Sequence, residues 1–233
     1  MKRSLLSKFT LAALLFLAAQ TVFAQEREKR DVSSFNELSV SSAFVVEVSV
    51  GDVEALEIEA EERILDDIIT EVRNGRLVIK LKDSRDTRRM RDSPRAYVTV
   101  TSLDAIGISG AVKLTTFDPI KTERFKLNIS GASVAKVEVE CEDLRVEASG
   151  ASEIVLEGKT DTQFVRTSGA TSYSAYNLES NIAEIKMSGA GSARVSVAEE
   201  LDCRLSGASD VRYKGSPKVN SSTSGASSVR RGR

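Results

Sequence analysis

The sequence predicts an all-β fold, a right-handed parallel β-helix (β-solenoid) of about seven Ser-Gly-Ala rungs behind an N-terminal β-rich capping segment. Three observations predict it. Ser-Gly-Ala occurs seven times at a nearly constant interval, apolar residues fall into columns around each copy, and the stretch ahead of the repeats reads as short alternating strands.

Residues 1–24 read as a secretory signal. Lys2, Arg3 and Lys8 form a basic start, 11–19 is apolar, and Val22-Phe23-Ala24 ends on a small residue before Gln25. Basic region, apolar region and small residue in that order mark an export signal. The apolar run is short for a span of ~20 residues, no Cys near the cut offers a lipid anchor, and no later segment is apolar enough to cross a bilayer. The signal holds three basic residues and no acid, so the remaining chain has 30 basic and 34 acidic residues, a net charge of −4. Nucleic acid is not an expected partner, since binding it needs a positive excess to displace phosphate counterions.

Residues 25–104 lack the motif and are expected to cap the solenoid. Segments 35–40, 43–50 and 56–60 read as strands, and 61–69 as a short helix. Residues 71–73 and 76–81 flank Asn74-Gly75, the strongest short hairpin signal. The polar stretch 82–95, with six basic and three acidic residues, reads as a loop before a strand at 96–100.

The repeats fill 105–233. Their leading pairs are Ser109-Gly110, Ser130-Gly131, Ser149-Gly150, Ser168-Gly169, Ser188-Gly189, Ser206-Gly207 and Ser224-Gly225, spaced 21, 19, 19, 20, 18 and 18 residues apart. A fixed period of about 20 residues marks a solenoid, whose units cannot bury an apolar face alone. One residue before the serine stand Ile108, Ile129, Ala148, Thr167, Met187, Leu205 and Thr223. Three before it stand Ile106, Leu127, Val146, Val165, Ile185, Cys203 and Ser221, and five after it Leu114, Ala135, Ile154, Tyr173, Ala193, Val211 and Val229. The residues between the first two columns are polar in most copies, which is the alternation of a half-buried strand. Each period therefore holds one strand before the motif and one after, with polar turns such as 158–161 and 177–180 joining periods. Stacked periods pair in parallel, the rest of the rung supplying the long connection that pairing needs. Crossover handedness favours a right-handed coil.

The motif reads as a bend. Gly accepts positive φ, Ala fits a crowded corner, and stacked serines are expected to form a hydroxyl ladder. Seven equivalent serines are architecture rather than one nucleophile. The aliphatic columns decay at Ser221 and Thr223, as a terminal cap requires. Cys141 and Cys203 sit about three rungs apart, ~14 Å at ~4.8 Å per rung, beyond the reach of a disulfide, so two free thiols are expected.

The Φ-x-Φ-Ser-Gly-Ala-Ser repeats, together with the Asn74-Gly75-Arg76-Leu77 hairpin ahead of them, resemble the auto-transporter adhesin, head GIN domain family of Bacteroidetes-type bacteria, from about Val32 onward. The resemblance implies a right-handed β-helix exported to the periplasm or cell surface. It brings no catalytic residues.

Chemistry is sparse. There is no His, which removes Ser-His-Asp and Cys-His catalysis and His-ligated metals. No phosphate loop or dinucleotide fingerprint occurs, and no cofactor or metal is expected. Two acid clusters, Glu138, Glu140, Glu142, Asp143 and Glu61, Glu62, Asp66, Asp67, read as solvated faces. Arg166, Lys186 and Arg204 share an outward column and form a candidate basic stripe for an anionic glycan, with Glu147, Glu184 and Asp202 placed to neutralise it. The expectation is an exported, non-enzymatic cell-envelope protein, an adhesin or binding scaffold whose partners are envelope or host glycans or surface proteins. The alternative is a polysaccharide-active enzyme on a β-helix. Self-association through the solenoid ends is a further possibility.

Overall fold

The computed structural model describes residues 25–83 and 90–232. The expected export signal at 1–24 lies outside the described residues. Among those described, no helix is long and apolar enough to cross a membrane.

Among the described residues, eighteen strands and one helical turn follow in order: β1 (Gln25–Arg30), β2 (Glu37–Ser42), β3 (Val45–Val50), β4 (Ala55–Glu61), α1 (Glu62–Leu65), β5 (Ile68–Arg73), β6 (Arg76–Leu81), β7 (Arg95–Val100), β8 (Ala105–Gly110), β9 (Lys113–Thr116) and β10 (Ile120–Lys121). Then come β11 (Arg124–Gly131), β12 (Val134–Gly150), β13 (Glu153–Gly169), β14 (Ser172–Gly189), β15 (Ser192–Gly207), β16 (Asp210–Lys214), β17 (Lys218–Thr223) and β18 (Ser228–Arg231).

The repeats stack as the period requires. From β12 onward each long strand runs in parallel beside the next, and the motif residues meet their equivalents: Ser149 and Gly150 pair with Ser168 and Gly169, and Ser188 and Gly189 with Ser206 and Gly207. Parallel layers wound this way make a β-solenoid. The columns are its core. Ile106, Leu127, Val146, Val165, Ile185 and Cys203 are all 0% exposed.

The turns expected at 158–161 and 177–180 lie instead within β13 and β14. The ladder continues through the first bend, where Gly158, Lys159 and Thr160 pair with Val139, Glu140 and Cys141. In the second, the β14–β15 ladder shifts register between Ala175 and Glu179. A parallel stack can carry its hydrogen bonds around a corner, because each bend rests on an identical bend below it.

The expected helix at 61–69 is only α1, one turn at Glu62–Leu65 that buries Ile64 and Leu65, and β5 starts at Ile68. The Asn-Gly hairpin is present. Asn74 and Gly75 both hold positive φ (51° and 74°), as a type I′ turn demands, and join β5 to β6 antiparallel.

The first layers are out of chain order. β2 lies between β6 and β8, and β3 between β7 and β9, all in parallel. The chain therefore lays down β2–β3, slips β6–β7 beneath it, and climbs past it to start β8. Below β7 the sheet turns antiparallel through β4 and then β1. The β2–β3 corner is Ser41-Ser42-Ala43, with Ser41 opposite Ser109 and Ser42 opposite Gly110. Ser42 holds φ 85°. It is a degenerate eighth corner that the Ser-Gly-Ala pattern does not reveal. At the other end, Ser221 and Thr223 in the last layer are exposed, while Val219 and Val229 are half-buried.

Candidate functional site

The corner fixes which way every motif side chain points. All seven motif glycines have positive φ, from 73° at Gly225 to 108° at Gly189. The following Ala N–H donates to the glycine carbonyl of the layer below, for instance Ala132 to Gly110 at 2.8 Å and Ala170 to Gly150 at 2.8 Å. The serine before each glycine then faces out. Ser149, Ser168, Ser188 and Ser206 are exposed.

The expected hydroxyl ladder between these serines is absent. Among the described residues no hydrogen bond joins one motif serine to the next, and Ser188 Oγ donates instead to Thr167 O at 3.4 Å. The structural hydroxyl belongs to the serine three residues later. Ser133 is buried, and its Oγ contacts Gly110 O at 3.2 Å and Ser130 O at 3.3 Å, while the Val112 N–H points at it from 3.4 Å. Ser209 repeats the arrangement with Gly189 O and Ser206 O. At four of the seven corners a hydroxyl three residues after the motif serine (Ser133, Ser152, Ser209 or Ser227) stitches the corner to the one below, while Val112, Thr171 and Gly191 take that place in the other three.

The outward serines floor a groove of about 560 Å³ that crosses the layers, from Ser109 through Ser130, Ser149 and Ser168 to Ser188. Asn128, Glu147 and Arg166 line it from the adjoining outward column. Layer spacing sets the hydroxyls ~4.8 Å apart.

The candidate stripe is contiguous: Arg166 pairs with Lys186, and Lys186 with Arg204. Its members differ in electrostatics. Lys186 is 2.6 Å from Glu184, and Arg204 lies 3.8 Å from Glu184 and 3.6 Å from Asp202. Arg166 is exposed and, among the described residues, makes no ion pair within 4.0 Å. It alone of the three lines the groove. Beside it on the same strand and face, the Phe164 ring sits under two cations, Arg145 at 4.7 Å and Lys186 at 5.0 Å. Arg145 also binds Glu147 at 2.8 Å. That hydrogen bond, with the charges of Arg145, Lys126 and Arg166, holds the Glu147 carboxyl below its ordinary range.

The acid clusters do not converge. Glu140 bridges Lys121 at 3.4 Å and Lys159 at 3.6 Å. Glu138 faces out beside Glu157, and Asp143 opposes Arg124. Around the bend near Cys141 runs a second open groove of about 710 Å³. Among the described residues no group of His, Cys, Asp or Glu side chains is arranged to hold a metal. Glu54, Glu61, Glu147 and Asp210 are all shifted toward stronger acidity by hydrogen bonds, the opposite of what a general acid needs.

Both thiols are free. Cys203 lies in an inward column three layers above Val146, and Cys141 sits at the bend, its Sγ 3.5 Å from Thr160 Oγ1. A buried polar chain crosses the interior nearby. Tyr173 OH donates to Gln163 Oε1 at 2.9 Å, Gln163 Nε2 to Ser180 Oγ at 2.7 Å, and Ser180 Oγ to Ser196 O at 2.8 Å.

The family described as "Putative auto-transporter adhesin, head GIN domain" matches residues 34–217, and the chain belongs to that family. Solved structures share the fold. A "putative adhesin" from Bacteroides fragilis superposes with a TM-score of 0.83 at 20% identity, over 88% of this chain and 96% of that one. A "putative adhesin" from Parabacteroides merdae gives 0.73 at 16% identity, over 90% and 97%. A "putative lipid binding protein" from Parabacteroides distasonis gives 0.71 at 19% identity, also over 90% and 97%. No curated protein matches.

Proposed function

We propose that this chain, as a member of that family, is an exported, non-enzymatic cell-envelope protein that holds a surface partner along the serine groove. One observation carries the reading: five outward hydroxyls follow one another on successive layers and floor a groove open along its length. The backbone groups of that floor are consumed in the ladder between layers, so side-chain hydroxyls, an amide and charges are what a partner meets. Repeat stacks suit this use because they present extended, regular faces. In this reading residues 1–24 are removed on export, 25–104 cap the base of the stack, and the protein works in the periplasm or at the cell surface.

The test is retention of residues 25–233 on envelope fractions and a glycan array, beside the double variant Ser149→Trp, Ser168→Trp. Both serines are exposed, so the added bulk fills the groove and leaves the core alone. Retention by the unmodified chain and its loss in the variant is expected; equal retention overturns the reading. Release of shortened polymer would assign the face to a polysaccharide-active enzyme instead.

A further inference from the structure

We propose that the groove takes an acidic polysaccharide, with Arg166 as the residue that receives its carboxylate; this rests on the binding role proposed for the groove. The argument begins with charge. On the outward columns of β11 to β14 beside the groove stand Lys126, Arg145, Arg166 and Lys186 against two acids, Glu147 and Glu184. That is a local excess of two positive charges on a chain that carries −4 after residue 24.

The excess is left on two residues, Lys126 and Arg166, and of these only Arg166 lines the groove. Glu147 is taken by Arg145 and Glu184 by Lys186. The Phe164 ring draws the heads of Arg145 and Lys186 over itself from the layers on either side. Arg166 is left exposed on the groove with its guanidinium unspent. A guanidinium offers a planar fork of donors matched to a carboxylate, and such charge-assisted pairs are among the stronger polar contacts.

The floor selects the polymer class. A peptide laid on a sheet relies on a free strand edge or on apolar pockets for its side chains; this groove's strands are paired on both sides, and the Ile108, Ile129 and Ala148 side chains in its lining are buried. Its serines each donate and accept, which suits a polymer rich in hydroxyls. Serines recurring every ~4.8 Å along the stack let such a chain lie across several layers.

The experiment is affinity electrophoresis and calorimetry of residues 25–233 with polygalacturonate, its fully methyl-esterified form, and polyglutamate. Arg166→Gln is compared with Arg204→Gln, an exposed position outside the groove whose charge is met by Glu184 and Asp202. Polygalacturonate binding is expected to weaken about tenfold in Arg166→Gln, equivalent to ~1.4 kcal/mol, and by less than about twofold in Arg204→Gln. The esterified polymer and polyglutamate are expected to bind at least about tenfold more weakly than polygalacturonate. Binding indifferent to Arg166, equal binding of the esterified polymer, or equal binding of polyglutamate overturns the proposal. Failure of the groove itself reads differently: the Trp double variant then keeps the envelope partner. If that variant loses the partner while polygalacturonate never binds, only the ligand class is wrong.

Discussion

The methyl group that Gly150 lacks would lie 2.5 Å from the carbonyl oxygen of Gly131, the oxygen that accepts the Ala151 N–H at 2.9 Å. The same geometry recurs up the file. At these corners glycine meets two demands, a φ near 90° and room for the layer beneath.

Gly150→Ala is therefore expected to cost at least about 2 kcal/mol, since positive φ alone costs an L-residue ~1–2 kcal/mol and the ladder must also give way. Gly107→Ala is the control. Its added carbon would sit 3.9 Å from Leu38 O, an ordinary contact, and the change is expected to stay within about 0.5 kcal/mol. Urea unfolding midpoints check both.

The two serines of the motif at 130–133 are expected to separate in the same assay. Ser133→Ala removes a buried hydroxyl that ties two corners and should destabilise by about 1 kcal/mol or more. Ser130→Ala removes an outward hydroxyl with no intramolecular bond and should change stability by less than about 0.5 kcal/mol. Equal costs would show that the inward hydroxyl is not the tie described.

Alkaline pH should weaken the fold through groups that burial keeps neutral. Burial pushes the Tyr173 hydroxyl far above its ordinary value of 10. It also raises both thiols above their ordinary value of 9, Cys203 to about 12 and Cys141 by a smaller amount. Each group's contribution is intact below its unfolded pKa and is lost as pH rises toward the folded one, because only the unfolded chain can then ionise. Unfolding midpoints should hold steady up to about pH 8 and fall from about pH 9 upward. Tyrosinate absorbance at pH 11 should show one of the four tyrosines ionising only on unfolding.

Cys203 should resist alkylation in the native protein at pH 8 and react once the chain is unfolded, because the thiolate is the nucleophile and this thiol is buried with its pKa raised to about 12. Half-buried Cys141 should react first. Peptide mapping after timed iodoacetamide treatment reads the order. Native labelling of Cys203 ahead of Cys141 would contradict the burial described.

The parallel layers, their inward columns and the glycine corners were legible in the sequence, because a solenoid repeats its packing at each turn. What escaped broke that repetition. Ser42 occupies a glycine place at the foot of the file, where the paired register of β2 with β6 stops at Val40 and Ile79. That ladder ends before the corner, and the eighth corner loses its signature. The layer β6–β7 has no Ser-Gly-Ala corner at all. The Gln163–Tyr173 bridge was hidden because each residue lies in a different inward column. It becomes apparent only when Ala183 and Ala193, small residues on the layer above, are seen beside Gln163 and Tyr173. The stripe was legible as a column. That Arg166 alone keeps its charge unspent depends on side-chain reach, which spacing does not encode.

Placing β6–β7 underneath β2–β3 sets synthesis order against building order. A chain delivered from its N-terminus can add every layer after β8 as that layer emerges, each resting on one already in place. The foundation cannot set that way. β2 and β3 must wait, uncovered on one side, until Val100 has followed them out, so the strands from β2 to β7 form a single step that must finish before growth can begin.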